Sequence, residues 1–251
     1  MIDIILVTYE RPEMTEEVVK NIAHMAGMDV RLIVADGGSQ KEDMKIYLKK
    51  LSDLQTFNYI KEIIVLTSEE RQYLPQNLNM GYKYVTSDYL ICTSNDFIVA
   101  QEGFVKILYE TIQKRPRYAS IKPCSWKDLQ KSRNDDKGIT FSKGCQLCNY
   151  RISPRWVIEA MHGFHGVEHD TPSHISRRPN HESAPFGYYV GKVRDSEGRK
   201  MFNGKLMCLT ELNLADLLGG SGYGQVNQFF YDDIDYFYHT KQTPKRAMSR
   251  K

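Results

Sequence analysis

Three short polar clusters, each closing an apolar run, carry side chains suited to holding phosphate, a nucleobase or a cation: Thr8-Tyr9-Glu10-Arg11, Asp36-Gly37-Gly38-Ser39 and Ser94-Asn95-Asp96. A carboxylate such as Asp96 is a hard oxygen ligand for a divalent cation. The Asp36 carboxylate is an acceptor for the N–H edge of a base, and uracil presents such an edge. Arg11 suits phosphate or base. Turn formation competes for each aspartate, since Asp and Asn hydrogen-bond their own backbone in turns. Near the other end of the chain Asp232 and Asp233 are adjacent, and Asp235 follows. Like charges so close raise the pKa of one member, and a carboxylate so tuned takes the proton of an attacking hydroxyl. The same acids would also satisfy a helix N-terminus.

His162, His165, His169, His174 and His181 crowd one stretch, with Cys145-x-x-Cys148 upstream. A zinc site needs four such ligands in a closed set, and a lone Cys-x-x-Cys is weak evidence for one. A polar loop lining a cleft is the preferred reading. Basic residues also cluster. Lys114, Arg115, Arg117, Lys122, Lys127, Lys131 and Arg133 face the single acid Asp128, and the tail after Asp235 has no acid. Such segments neutralise phosphates or lipid headgroups, or form a solvated face.

These groups need a scaffold, and the apolar runs supply it. Asp3–Thr8, Arg31–Ala35, Glu62–Leu66 and Tyr89–Thr93 read as buried strands, and Tyr118–Lys122 as a fifth. Helical spacing appears between them: Val18, Val19, Ile22 and Met25 after Pro12, then Lys41–Leu51, the run ending near Val85, and Glu102–Arg115. Strands alternating with helices predict a parallel, helix-covered sheet, whose ligands sit beyond the carboxyl ends of the strands. The three polar clusters occupy those ends. The second half is less regular: a helix over Arg155–Met161, a hairpin over Val190–Lys205 turning at Asp195–Gly198, and a short helix over Thr210–Leu218.

The chain has 251 residues, 41% hydrophobic and 26% charged, which suits a folded domain and not a disordered or fibrous chain. Its net charge of +3 names no partner. No apolar run reaches the ~18 residues of a membrane helix, and Met1–Val7 has neither the basic start nor the length of a signal peptide. Five cysteines make a poor disulfide framework and point to a reducing, cytoplasmic setting. No Gly-x-Gly-x-x-Gly or Gly-x-x-x-x-Gly-Lys is present, which argues against a dinucleotide Rossmann site or a P-loop.

The order of motifs resembles a family-two glycosyltransferase with the GT-A fold. Val7-Thr8-Tyr9-Glu10-Arg11-Pro12 resembles the opening strand and its nucleotide-facing loop, and Val34–Ser39 the motif whose aspartate meets the base. Asn79-Met80-Gly81 resembles Asn-x-Gly, and Ser87–Asp96 the strand leading into Asp-x-Asp. Arg151–Arg155 through His162-Gly163-Phe164 resembles the stretch ending in Gly-Gly-Phe-Asp, and Tyr231-Asp232-Asp233-Ile234-Asp235 the Glu-Asp-x-Asp motif. Three positions depart from the pattern: Ser94 replaces the first aspartate of Asp-x-Asp, His165 follows Gly-Phe, and His239 replaces an arginine.

The resemblance implies an α/β GT-A fold: a Rossmann-like, mostly parallel sheet with helices on both faces and an irregular C-terminal acceptor-side region. It implies one domain over 1–251, with 1–122 binding the nucleotide-sugar and 123–251 facing the acceptor, and an insertion near 166–225. Thr8, Tyr9, Arg11, Asp36, Asn79, Ser94 and Asn95 would bind the donor. Asp96, with His239 as a further ligand, would hold Mn²⁺ or Mg²⁺. Asp233 would be the base, Asp232 would hold the acceptor, and Asp235 would brace the following helix. The implied activity is inverting, metal-dependent transfer from a nucleotide-sugar, UDP-linked by preference. The acceptor would be a glycan, a lipid-linked sugar or a polymer, or more narrowly a hydroxylated base in DNA, which the basic segments motivate. A nucleotidyltransferase would need a Gly-rich basic loop where Thr-Tyr-Glu-Arg-Pro stands. A non-catalytic nucleotide-sugar-binding module fits Ser94 but not Asp232-Asp233.

Overall fold

A computed structural model describes residues 1–125, 138–141, 149–164 and 190–214. β1 (Ile2–Thr8), β2 (Val30–Asp36) and β4 (Tyr89–Ser94) form the centre of a sheet, and β3 (Ile60–Thr67) its first edge. β1 and β2 are buried at every residue, as an Ile/Val/Leu run covered on both faces must be. All their pairings are parallel: Thr8 opposes Asp36, Val7 opposes Ser94, and Asp36 opposes Thr67. The carboxyl ends of four strands therefore meet at one end of the sheet.

Helices cover both faces. α1 (Pro12–Met25), α2 (Glu42–Leu54) and α4 (Phe104–Gln113) lay Val18, Ile22, Leu48, Phe104 and Leu108 over one face, against Ile4, Leu6 and Leu32. α3 (Leu74–Tyr82) and α5 (Arg155–Ala160) lay Leu78, Val157 and Ile158 over the other, against Ile5, Ile33 and Leu90. Proline stands in the first turn of both α1 and α3, where its missing N–H costs nothing.

The second half turns the sheet antiparallel. β8 (Arg151–Pro154) runs beside β4 with Cys92 opposite Arg151, and β6 (Tyr118–Ser125) lies beyond it. β9 (Phe202–Asn213) runs parallel to β6 and antiparallel to both β5 (Phe97–Val99) and β7 (Ile139–Phe141). Among the described residues half of the strand pairings are thus parallel. The fifth strand expected from the sequence is β6, but β8 separates it from β4. Of the helix expected over Thr210–Leu218, Thr210–Asn213 extend β9, because both β6 and β5 offer backbone partners there, and 215–218 lie outside the described residues. The expected hairpin over Val190–Lys205 reduces to one bridge, Arg194 with Lys200. Its turn forms where expected, with Asp195 accepting from the Glu197 and Arg199 amides at 3.0 and 2.8 Å. The strand that follows pairs with β6 rather than folding back.

Candidate nucleotide-sugar site

The loops at the carboxyl ends of β1 to β4 are stitched together by backbone hydrogen bonds. Gly37 N–H donates to Thr8 O at 3.0 Å, Ser68 to Asp36 O at 3.2 Å, Gln72 to Gly37 O at 3.0 Å and Asn95 to Val7 O at 3.1 Å. Gly38 is required to be glycine: its φ is +81°, and a Cβ there would lie 2.4 Å from Glu70 O.

Asp36 is fully buried at the centre of this seam. Its Oδ1 accepts from Thr8 Oγ1 at 3.0 Å and Ser39 Oγ at 2.6 Å, and its Oδ2 from the Gly38 and Ser39 amides at 3.1 and 2.8 Å. Four donors occupy a carboxylate expected to read a base. In this arrangement Asp36 shapes the loop. Glu10 adds a second tie, with φ +55°, a conformation costly for a residue with a Cβ. Its amide donates to Ser39 Oγ at 2.9 Å, and its carboxylate accepts from the Gln40 and Lys41 amides at the start of α2.

Tyr9, half-buried, carries the guanidinium of Arg71 over its ring at 5.1 Å, and the same group lies 5.9 Å from the Tyr73 ring. The sequence reading singled out neither Arg71 nor Tyr73. Both lie between β3 and α3, a stretch with no motif, and only the fold carries it to Tyr9.

Ser94 ends β4, and Asn95 and Asp96 follow it. Ser94 Oγ donates to Asp96 Oδ1 at 2.6 Å, and Arg11 Nη1 stands 3.8 Å from Asp96 Oδ2. Asn95 turns inward and donates to Thr15 Oγ1 at 3.0 Å. Asn79, also expected near the donor, instead pairs with a backbone segment. It accepts from Phe164 N–H at 2.9 Å and donates to Phe164 O at 2.8 Å, fixing the His162-Gly163-Phe164 turn against α3. Gly163, at φ +96°, leaves room for it, since a Cβ would lie 2.8 Å from Asn79 Oδ1.

Asp96 and Ser94 present hard oxygen donors that suit Mn²⁺ or Mg²⁺. Among the described residues no group of three His, Cys, Asp or Glu side chains gathers to hold a metal. Hard cations of this kind also take phosphate and water oxygens as ligands. Asp232, Asp233, Asp235 and His239 lie outside the described residues, as do Cys145, Cys148, His165, His169, His174 and His181.

Lys122, counted in the basic segment, is withdrawn from any surface: it is buried and pairs with Glu211 across β6 and β9. Burial raises the Glu211 pKa and lowers that of Lys122, and their mutual attraction opposes both shifts. Asn149 also donates to Glu211, at 3.3 Å. Lys114 and Arg115 are exposed but precede β6, whose start lies at the end of the sheet opposite Asp36 and Asp96. No helix among the described residues is long and apolar enough to cross a membrane.

A parallel α/β half with polar loops at its strand ends, continued by antiparallel strands, is the architecture of GT-A glycosyltransferases, and solved structures of that class share it. A mannosyltransferase from Pyrobaculum calidifontis in complex with GDP-Man and Mn²⁺ aligns with a TM-score of 0.55 at 13% identity, over 81% of this chain and 56% of that one. Residues 1–349 of TarS from S. aureus align at 0.55 and 11% identity, over 96% of this chain and 72% of that one. The same protein in complex with UDP-GlcNAc gives 0.53 and 10% identity, over 95% and 64%. These likenesses show the fold. The glycosyl transferase family 2 profile matches residues 3–167, more than half of the chain, and the chain belongs to that family. Its class is accordingly that of a glycosyltransferase. No curated protein matches it.

Proposed function

We propose that this chain transfers a sugar from a nucleotide-sugar, UDP-linked by preference, to the hydroxyl of a glycan, lipid-linked sugar or polymer, with inversion. The observation that carries the reading is the register of three strand ends: Thr8 opposes Asp36, and Val7 opposes Ser94, so the loops read as base-side and phosphate-side lie at one end of the sheet. Residues 1–122 form the donor half and 123–251 the acceptor half of one domain. Tyr9 offers the base a stacking face and Arg71 a cation beside it. Asp36 holds the loop on which the base rests. Its own contact with the base requires one of its four hydrogen bonds to be exchanged. Ser94 and Asp96 face the diphosphate with Arg11 beside them. Asn79 and Asn95 act behind this surface, through Phe164 and Thr15.

In the reaction the acceptor oxygen attacks the anomeric carbon from the side opposite the diphosphate. Its proton passes to the Asp233 carboxylate, and the bond to the diphosphate oxygen breaks with its electron pair, releasing the nucleoside diphosphate. Asp232 holds the acceptor hydroxyl. Asp96, with His239 as a further ligand, would hold a divalent cation, and that ion would supply Lewis-acid stabilisation of the leaving diphosphate. The Cys92 and Cys208 thiols, neither in a disulfide, suit a reducing, cytoplasmic setting.

Calorimetry with UDP-, GDP- and dTDP-sugars, each with and without Mn²⁺, tests the donor. The expected result is preferred UDP-sugar binding that Mn²⁺ strengthens, followed by UDP release when glycan or polymer acceptors are added. Hydroxymethylated DNA belongs in the same acceptor panel. Stronger GDP- or dTDP-sugar binding would reassign the donor, and equal binding with excess EDTA would remove the cation.

A further inference from the structure

We infer that Glu10 is a positioning residue for the nucleobase: it holds a costly left-handed backbone so that the Tyr9 ring beside it is fixed where the base stacks. This role rests on the stacking of the base on Tyr9 proposed above. Stacking by itself does not require it.

β1 ends at Thr8 and α1 begins at Pro12, so three residues make the turn between them. Pro12 keeps the residue before it out of the helical conformation, and Arg11 stands at φ −142° and ψ 73°. The bend falls on Glu10, at φ +55°. A Cβ makes that conformation costly, and glycine or asparagine adopts it more readily. Such strain persists only where the surroundings over-determine it. At Glu10 they do. Its amide donates to Ser39 Oγ at 2.9 Å, its carboxylate accepts from the Gln40 and Lys41 amides, and its carbonyl accepts from Lys41 Nζ at 3.4 Å.

These ties bracket Tyr9. On one side Thr8 Oγ1 donates to Asp36 Oδ1. On the other the Glu10 amide donates to Ser39 Oγ, which donates to the same Asp36 Oδ1 at 2.6 Å. Both chain neighbours of Tyr9 are thereby anchored on one buried carboxylate oxygen, and the backbone that carries the ring cannot shift without breaking them. A ring held in place before the base arrives avoids the cost of ordering it on binding. Helix capping does not account for the strain at Glu10. α2 has its own acids, Glu42 and Asp43, in its first turn, and Asp43 Oδ1 accepts from the Met44 amide at 2.8 Å.

Calorimetry with UDP, ligand-observed NMR with uridine, and urea denaturation of the full chain test the role together. Glu10→Gly and Glu10→Asn relieve the backbone and give up the carboxylate's reach to Gln40 and Lys41. Both are expected to bind UDP and uridine about 3–10-fold more weakly, the cost of ordering one side chain. The urea midpoint of Glu10→Asn should be no lower than that of wild type, because relief of the left-handed strain offsets the lost ties. Glu10→Gln keeps the length and an acceptor oxygen and should retain most of the affinity. A weaker affinity in Glu10→Asn that comes with a lower urea midpoint makes Glu10 a structural tie and overturns the positioning role. Weaker UDP binding with uridine binding unchanged overturns it too, since the effect would then lie at the phosphates. Unchanged UDP affinity in Glu10→Gly and Glu10→Asn, while Tyr9→Ala weakens it, overturns the role of Glu10 and leaves the base on Tyr9. Unchanged affinity in Tyr9→Ala, or no UDP binding by wild type, overturns both.

Discussion

The Thr8 hydroxyl donates a 3.0 Å hydrogen bond to Asp36 Oδ1 across the seam between two parallel strands whose last residues are register partners. This bond places Asp36 under the Gly37–Ser39 loop as its keystone, with the Gly38 and Ser39 amides on the other oxygen. Asp36→Ala leaves those donors unpaired in a buried site. We expect a loss of about 2–4 kcal/mol of stability and about 10–100-fold weaker UDP binding. Thr8→Val removes one donor of four and should cost about 1 kcal/mol. Urea denaturation and calorimetry check both, and unchanged UDP affinity in Asp36→Ala would sink the assignment of this loop to the base.

The proposed site for the base is the Tyr9 ring, beside which the Arg71 guanidinium stands 5.1 Å from the ring centroid. A base stacked on an aromatic side chain contributes about 1–3 kcal/mol. Tyr9→Ala should therefore weaken UDP binding by roughly 5–100-fold, and Tyr9→Phe should keep most of it. Arg71→Ala should cost less, with an effect that shrinks as salt rises. Equal affinities for wild type and Tyr9→Ala in calorimetry would move the base elsewhere.

At the opposite end of the sheet Asp3, 1% exposed, takes Arg31 Nε and Nη2 at 2.8 Å each. Burial alone would raise the Asp3 pKa, but Arg31 and the Ser87 and Thr86 amides outweigh it and hold it below 3.8. A depressed folded pKa contributes stability that is present above the unfolded value and lost as pH falls through the folded one. Wild type should thus lose this contribution progressively below about pH 4. Asp3→Asn removes the buried counter-charge of Arg31, leaving it Tyr84 O, Thr86 Oγ1 and the more distant Glu62, and should cost up to about 3 kcal/mol near neutrality. Its difference from wild type should narrow in acid. A difference that stays constant from pH 7 to pH 2 in denaturant titrations would contradict the linkage.

Asp233 is expected to accept the proton of the acceptor hydroxyl. Asp233→Asn keeps the shape and removes the basicity, so turnover should fall by roughly 10²–10⁴-fold with donor affinity nearly intact. Asp232→Asn should weaken acceptor binding as well. If the pair only capped a helix, Asn would serve almost as well as Asp and the rate would hardly change. Turnover near wild type in Asp233→Asn would pass the role to Asp232 or to the histidine-rich stretch.

The sequence by itself determined the elements of the first half, because burial between two helix layers writes Ile/Val runs and helical spacing writes α1, α2 and α4. It also located three of the loops that meet at the cleft, since polar residues interrupt those runs at the strand ends. What it left undetermined are the partners. Lys122 reads as one more base in a basic segment, and only the pairing of β6 with β9 shows that it is buried against Glu211. Thr210–Asn213 read as helix, and two waiting strand edges make them strand. Asn79 and Asn95 carry polar groups that suit a ligand, yet the fold sets Phe164 against one and Thr15 against the other. Arg71 has no signature until the loop after β3 folds over Tyr9. Periodicity and polarity are properties of a chain and its neighbours within a few residues. The hydrogen-bond partner of a buried polar group is fixed by segments tens of residues away, and the assembled sheet decides which of them arrive.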